Sequence, residues 1–285
     1  MLELIYTNDE LDQRLDEFRK KGKKIGFVPT LGALHAGHIS LINKSLRTAD
    51  ITVCSIFVNP TQFNEEADYD RYPRTLKSDS AKLRKTKCHF LYYPGRKEVY
   101  PKNYKKFKMA LDGLDRVMEG AHRPGHFDGV VEVVHRLFSI VKPDYAFFGE
   151  KDFQQLSIIQ KMVKETKMKV AIVPCKIIRE KDGLAMSSRN ALLTKNNRAA
   201  APILYKTLKK VSKNMNGLSP FALKNWALDH LKENNVDVEY LEIARSEDLK
   251  PVKRWYKKKP CRVFITARFG EIRLIDNVSL EYRPK

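Results

Sequence analysis

Two short apolar runs, residues 24–29 (KIGFVP) and 51–57 (ITVCSIF), bracket a stretch of quite different pattern, and that arrangement does most to limit the fold. Both runs are apolar, and the second is dense in β-branched and aromatic residues, as buried strands are. Between them Ile39, Ile42 and Leu46 recur at helical spacing, behind a turn punctuated by Gly32 and Gly37. Strand, helix, strand with a short crossover is a βαβ unit, and so a parallel pair. Strand-like runs at 89–93, 145–148 and 170–175 follow, alternating with helical patterns that include 8–22, 76–85 and 127–141. Five strands and their helices predict a Rossmann-like, doubly wound α/β domain over 1–180. Beyond about residue 190 the pattern changes. Leu204, Leu208 and Val211 mark one helix, and Leu223, Trp226, Ala227 and Leu231 another. Strands at 238–243, 262–269 and 271–275 follow, the last two joined at Phe269-Gly270. A smaller α+β C-terminal domain over 181–285 is expected.

In parallel sheets ligands bind beyond the carboxyl ends of the strands. His35 and His38 sit at such an end, on the first turn of the helix after the first strand. There the unpaired backbone N–H groups and the helix dipole favour an anion. The same residues also suit a plain capped helix with two surface histidines. The loop 59–72 leaves the next strand and offers Asn59, Gln62, Arg71 and Tyr72. The loop GAHRPGH (120–126) holds His122, Arg123 and His126 just before a helix. His135, inside that helix, reads as structural. After the strand at 145–148, Gly149 permits close backbone approach and Lys151 offers a point charge for phosphate. Asp152 is either an N-cap or a ribose-hydroxyl acceptor. The segment 177–190 sets Ser187 and Ser188 beside Arg189, suited to polyphosphate or to a polar linker.

The chain of 285 residues carries 54 Lys and Arg against 34 Asp and Glu, a formal charge of +20. That excess suits nucleic acid or small anions. The lysines are spread along most elements, with local excess at 102–108 and 250–262, and neither zinc-finger spacing nor aromatic-interleaved repeats occur. A general surface bias is the commoner explanation of such a charge; no nucleic-acid partner is expected, and a basic nucleic-acid-binding protein is kept as the non-enzyme alternative. No apolar run approaches the ~20 residues that span a membrane, and the acidic N-terminus is unlike a secretory leader. Cys54, Cys88, Cys175 and Cys261 are too far apart for a metal motif. A cytoplasmic protein with buried free thiols is expected. No metal ligand is assigned, Asp79 being the nearest carboxylate for such a role.

Six segments together carry a resemblance: PTLGALHAGH (29–38), SIFVNPTQF (55–63), DRYPRTL (70–76), EGAHRPGHF (119–127), FGEKDFQQL (148–156) and DGLAMSSRN (182–190). Through them the chain resembles the pantothenate synthetase (pantoate–β-alanine ligase) family over almost its whole length. The HxGH and MSSR elements also look like the signatures of the wider HxGH nucleotidyltransferases. The resemblance implies ATP with Mg²⁺, (R)-pantoate and β-alanine as ligands, commonly a homodimer, and a pantoyl-adenylate intermediate. It implies that Leu31, Gly32, Ala33, Leu34, His35, Ala36, Gly37 and His38 form the ATP-binding turn, His38 being the proton donor. Gln62 and Gln155 would hold pantoate, with Tyr72 and Arg123 nearby. Gly149, Glu150, Lys151 and Asp152 would meet the nucleotide, as would the backbone near Ile178. Met186, Ser187, Ser188 and Arg189 would close on the phosphates, giving the C-terminal domain the role of a lid. Leu31 stands where the family usually has methionine and Ala36 where an acid is common. Leu for Met nearly conserves volume, and losing the acid makes the turn more positive. Another adenylyltransferase with a different acceptor remains the alternative enzyme.

Overall fold

The computed structural model describes residues 2–63, 66–256 and 259–281. Asn64 and Glu65 of the polar loop, and Lys257 and Lys258 of the C-terminal basic stretch, lie outside them. The chain divides into two units, Met1–Glu150 with Gln155–Lys176, and Lys151–Gln154 with Ile177–Lys285.

In chain order the first part holds β1 (Glu3–Ile5), α1 (Asn8–Lys20), β2 (Ile25–Thr30), α2 (Ala36–Leu46) and β3 (Ile51–Ile56). It continues with α3 (Glu66–Arg71), α4 (Leu76–Arg84), β4 (Phe90–Tyr92), α5 (Arg96–Val99) and α6 (Met118–His122). Then come α7 (His126–Val141), β5 (Tyr145–Gly149), α8 (Phe153–Thr166) and β6 (Ala171–Cys175). The strands form one sheet in the order β1-β4-β3-β2-β5-β6, all pairs parallel. Strand order reverses direction between β2 and β5, so a crevice is expected at their carboxyl ends.

Both faces of this sheet are covered, and alternation along the strands decides which residue goes where. Val28, Cys54, Leu91 and Phe147 join Leu41 and Ile42 of α2 and Leu83 of α4 in one core. Phe27 and Phe148 turn the other way onto Phe138 of α7, and Phe90 meets Phe18 of α1. β1 has only three residues, too few for a period to show, and was not expected from the pattern; it pairs Ile5 with Tyr92 at the sheet edge. A single 3₁₀ turn, Glu150–Asp152, precedes α8, which begins at Phe153.

The second unit contains α9 (Lys195–Ala200), α10 (Ile203–Asn214), α11 (Pro220–Glu233), β7 (Asp237–Arg245), β8 (Cys261–Phe269) and β9 (Ile272–Leu280). Its strands form an antiparallel sheet on which α10 and α11 bury Leu204, Leu208, Val211, Leu223 and Leu231. β9 runs five residues beyond the expected 271–275, because Ile275 to Leu280 keep pairing with β8. All four cysteines are buried free thiols, and burial pushes the Cys88 thiol up to about 12.

One buried polar pair ties α2 to the sheet. The hydroxyls of Ser45 and Thr52, both fully buried, are hydrogen-bonded at 2.8 Å. Ser45→Ala leaves the Thr52 hydroxyl without that partner, and a cost of about 1–3 kcal/mol is expected. Adding Thr52→Val removes the orphan, and most of the loss should return. Urea midpoints of the two variants check both halves; equal midpoints would overturn the account.

Candidate active site

The turn between β2 and α2 is built against local preference. Gly32 (φ 88°) and Ala33 (φ 49°) are both left-handed, a conformation that costs a non-glycine residue about 1–2 kcal/mol. What fixes it is Asp79 of α4, fully buried. Its two carboxylate oxygens accept from the backbone N–H of Ala33 (2.9 Å) and Leu34 (2.8 Å), and from the Thr75 hydroxyl (3.0 Å). Lys82, one helical turn on, donates to the Leu34 carbonyl at 2.6 Å. The Thr30 hydroxyl accepts from Gly32 N–H at 3.2 Å and donates to the Ser55 carbonyl at 2.8 Å. The carboxylate considered for a metal-side role is therefore an internal ligand of the backbone.

The turn delivers His35 and His38 to the start of α2. His35 is the N-cap, its Nδ1 accepting from Gly37 N–H at 3.1 Å. His38 Nδ1 accepts from His35 N–H at 3.3 Å, and the rings lie 4.1 Å apart. Backbone N–H groups are donors only, so each neutral imidazole carries its proton on Nε2. Two half-buried Nε2–H donors thus stand side by side at the positive end of a helix. Such a pair suits the oxygens of an anion. A cavity of about 150 Å³ opens beside Leu31 and Gly32, its walls including Phe57, Tyr69 and Arg74.

Gln62 ends a 3₁₀ turn, Pro60–Gln62, beyond β3 and is 8% exposed. Asn59 caps that turn from within, donating to Thr61 Oγ1 (3.0 Å) and to the Gly129 carbonyl (3.1 Å), and accepting from Tyr100 OH (3.1 Å). Arg123 donates from Nη1 to His126 Nε2 at 3.1 Å, and His126 Nδ1 meets the Gln62 carbonyl at 2.7 Å. Tyr72 packs its ring on Phe63, centroids 5.7 Å apart, and Arg74 donates to its carbonyl at 3.3 Å. Gly149 ends β5 beside β2, Glu150 opens the 3₁₀ turn that follows, and Gln155, half-buried, lies in the first turn of α8. The first unit thus gathers the His35–His38 turn, Gln62, Gly149 and Gln155 at the carboxyl ends of β2, β3 and β5.

Lys151, Asp152 and the 178–189 segment belong to the second unit. There the Lys151 carbonyl accepts from Asn277 Nδ2 at 2.9 Å, and Asn277 Oδ1 accepts from Arg262 at 2.5 Å. Arg262 also lies over the Phe153 ring at 4.1 Å. Arg179 forms a two-pronged pair with buried Asp276 (2.6 and 2.9 Å), donates to the Gly183 carbonyl (3.1 Å) and stacks on Tyr205. That anchors a reverse turn in which Met186 N–H donates to the Ile178 carbonyl at 2.9 Å. Ser187 Oγ accepts from Arg189 N–H at 3.2 Å and caps the Ser188–Leu192 turn. Asp79, Asn277, Asp276 and Arg179 carry no sequence signal, since each acts on backbone or partners far away in the chain. His126 lay inside a motif already noted. His135 is structural, stacked on Phe107 with centroids 3.8 Å apart.

A family model described as pantoate-beta-alanine ligase matches residues 3–279. The chain is 44% identical to the pantothenate synthetase of Porphyromonas gingivalis over 281 residues, covering 98% of this chain and 100% of that one. It is 45% identical to the pantothenate synthetase of Flavobacterium psychrophilum, with 94% and 95% covered. The crystal structure of pantothenate synthetase from Thermus thermophilus superposes with a TM-score of 0.91 at 38% identity, covering 98% and 100%. That of pantoate-beta-alanine ligase from Francisella tularensis, complexed with beta-gamma ATP and beta-alanine, gives 0.81 at 33% identity, covering 98% and 97%.

Asp79→Asn puts an amide N–H against main-chain N–H donors. A stability loss of about 1–3 kcal/mol is expected, together with shifted ring resonances of His35 and His38. An unchanged urea midpoint with unshifted histidine signals would show that the turn holds without the carboxylate.

Proposed function

The chain belongs to the pantoate–β-alanine ligase family, and we propose that it condenses (R)-pantoate with β-alanine at the expense of ATP. In the first step a pantoate carboxylate oxygen attacks the α-phosphorus. The bond to the bridging oxygen breaks and pyrophosphate leaves with its electron pair. In the second step the β-alanine amine attacks the acyl carbon of the pantoyl adenylate. The bond to AMP breaks, the amine loses a proton, and pantothenate is released. Neither step requires a protein nucleophile, so the protein's work is positioning and charge stabilisation.

The observation that carries this reading is the pair of Nε2–H donors that His35 and His38 hold on the α2 N-terminus. Their geometry suits phosphate oxygens, with His38 in the role of proton donor. The backbone of Leu31, Gly32, Ala33, Leu34, Ala36 and Gly37 forms the nucleotide's bed on this reading. The beta-gamma ATP and beta-alanine of the Francisella relative support both ligands. Gln62 and Gln155, amides with donor and acceptor, suit the hydroxyl and carboxylate groups of pantoate. Lys151 and Arg189, with Ser187 and Ser188, are assigned to phosphate charge. Glu150, Asp152, Met186 and the Ile178 backbone are assigned to the nucleoside side.

Mg²⁺ is taken to enter on the ATP phosphates as part of the substrate. Both oxygens of Asp79 already accept from donors of the fold. Among the described residues no three His, Cys, Asp or Glu side chains converge to hold an ion. Octahedral Mg²⁺ commonly keeps its waters and phosphate ligands, and no step is assigned to a metal held by the protein. A homodimer working in the cytoplasm completes the reading. No helix among the described residues is long and apolar enough to cross a membrane.

The deciding experiment follows pyrophosphate from MgATP with and without pantoate, then AMP and pantothenate after β-alanine is added. Pantoate-dependent release followed by amine-dependent product is expected. Turnover that needs neither compound would point to a different acceptor. His38→Ala, Lys151→Ala and Arg189→Ala should each cost roughly 10²–10³-fold in kcat. All three staying within about tenfold of wild type would remove these residues from the chemistry.

A further inference from the structure

We propose that His126 is a positioning residue for pantoate. It holds the main chain of Gln62, with Arg123 fixing the tautomer that lets it do so. The inference rests on the assignment of Gln62 to pantoate made above. A guanidinium has donors only, and a carbonyl accepts only. Arg123 Nη1 faces His126 Nε2 at 3.1 Å, so Nε2 must be the acceptor. The Gln62 carbonyl faces Nδ1 at 2.7 Å, so Nδ1 must carry the proton. Both neighbours demand the same neutral form of the ring, and His126, 8% exposed, sits largely out of solvent.

The rest of the packing makes that bond matter. The turn carrying Gln62 is pressed against α7, where Gly129 has no room for a side chain. A Cβ there would overlap the Thr61 carbonyl and come within 2.8 Å of Gln62 Cα. Asn59 ties the same turn to the Gly129 carbonyl at 3.1 Å. Contact and bond set the distance between turn and helix, while the His126 bond sets the direction of the Gln62 peptide. The side chain of Gln62 leaves from that peptide, so a rotated carbonyl moves the amide that would meet the acid. Arg123, expected from the motif to lie near pantoate, acts here through His126.

Isosteric amides separate this role from simple packing. Asparagine places its N–H where Nδ1 lies and can still donate to the Gln62 carbonyl. Glutamine reaches the Nε2 position and keeps Arg123 but not that carbonyl. His126→Gln is expected to raise KM for pantoate roughly ten- to a hundredfold while KM for ATP stays unchanged. His126→Asn should restore pantoate KM to within roughly threefold of wild type. Equal effects of the two variants, or parallel shifts in both KM values, would overturn the proposal. If His126→Gln does not fold, Arg123→Met carries the test, because it leaves the Gln62 carbonyl alone to hold the ring in its tautomer. Pantoate KM should then rise with ATP KM unchanged, and no rise overturns the proposal. Gln62→Ala tells the two readings apart. If it leaves pantoate KM unaltered, the assignment of Gln62 itself is wrong. If it raises pantoate KM while His126→Gln does not, the assignment stands and the role of His126 falls.

Discussion

A tight turn with consecutive left-handed residues presents N–H groups that neither the strand before it nor the helix after it can satisfy. In this chain one buried carboxylate meets that need. Asp79 accepts from Ala33 and Leu34 while Thr75 donates to it and Lys82 holds the next carbonyl. Charge-assisted bonds of this kind are stronger than neutral ones, enough to offset the strain of an alanine at φ 49°. With the turn fixed, His35 falls at the N-cap and the two imidazoles adopt one tautomer. The chemistry proposed for the crevice between β2 and β5 therefore depends on a residue of α4 that needs no contact with a ligand.

The same economy recurs around Gln62 and Lys151. Each is a residue assigned to a ligand, and in each the main-chain carbonyl is held by a side chain from a distant element. For Gln62 that element is α7, through His126. For Lys151 it is β9, through Asn277, whose own amide is fixed by Arg262. Side chains assigned to a charged ligand thus start from a backbone with little freedom, which would lower the entropy lost on binding.

Much of the fold was legible because it is written in period and punctuation. The apolar runs at 24–29, 51–57 and 145–148, and the stripe along 127–141, are local signals, and the structure has elements there. β1 escaped because three residues carry no period, and the end of β9 because its pairing with β8, not its own pattern, extends it. The candidate site was legible where a motif concentrates it, as at His35, His38 and Gln62. It was not legible where the partner is a backbone atom elsewhere. Nothing around Asp79 announces two N–H groups 45 and 46 residues away, and nothing around Asn277 announces the carbonyl of Lys151, 126 residues away.

The histidine cap has a consequence for anyone selecting sturdier versions of this protein. Serine, asparagine and aspartate are the residues that best close a helix N-terminus, and an imidazole is a substitute. A screen for heat resistance would thus favour replacing His35, which caps α2 through Nδ1. Each such replacement would discard the Nε2–H on the other side of the ring. On the role proposed for His35, robustness and turnover would draw on opposite edges of one five-membered ring, and selection for the first alone would erode the second.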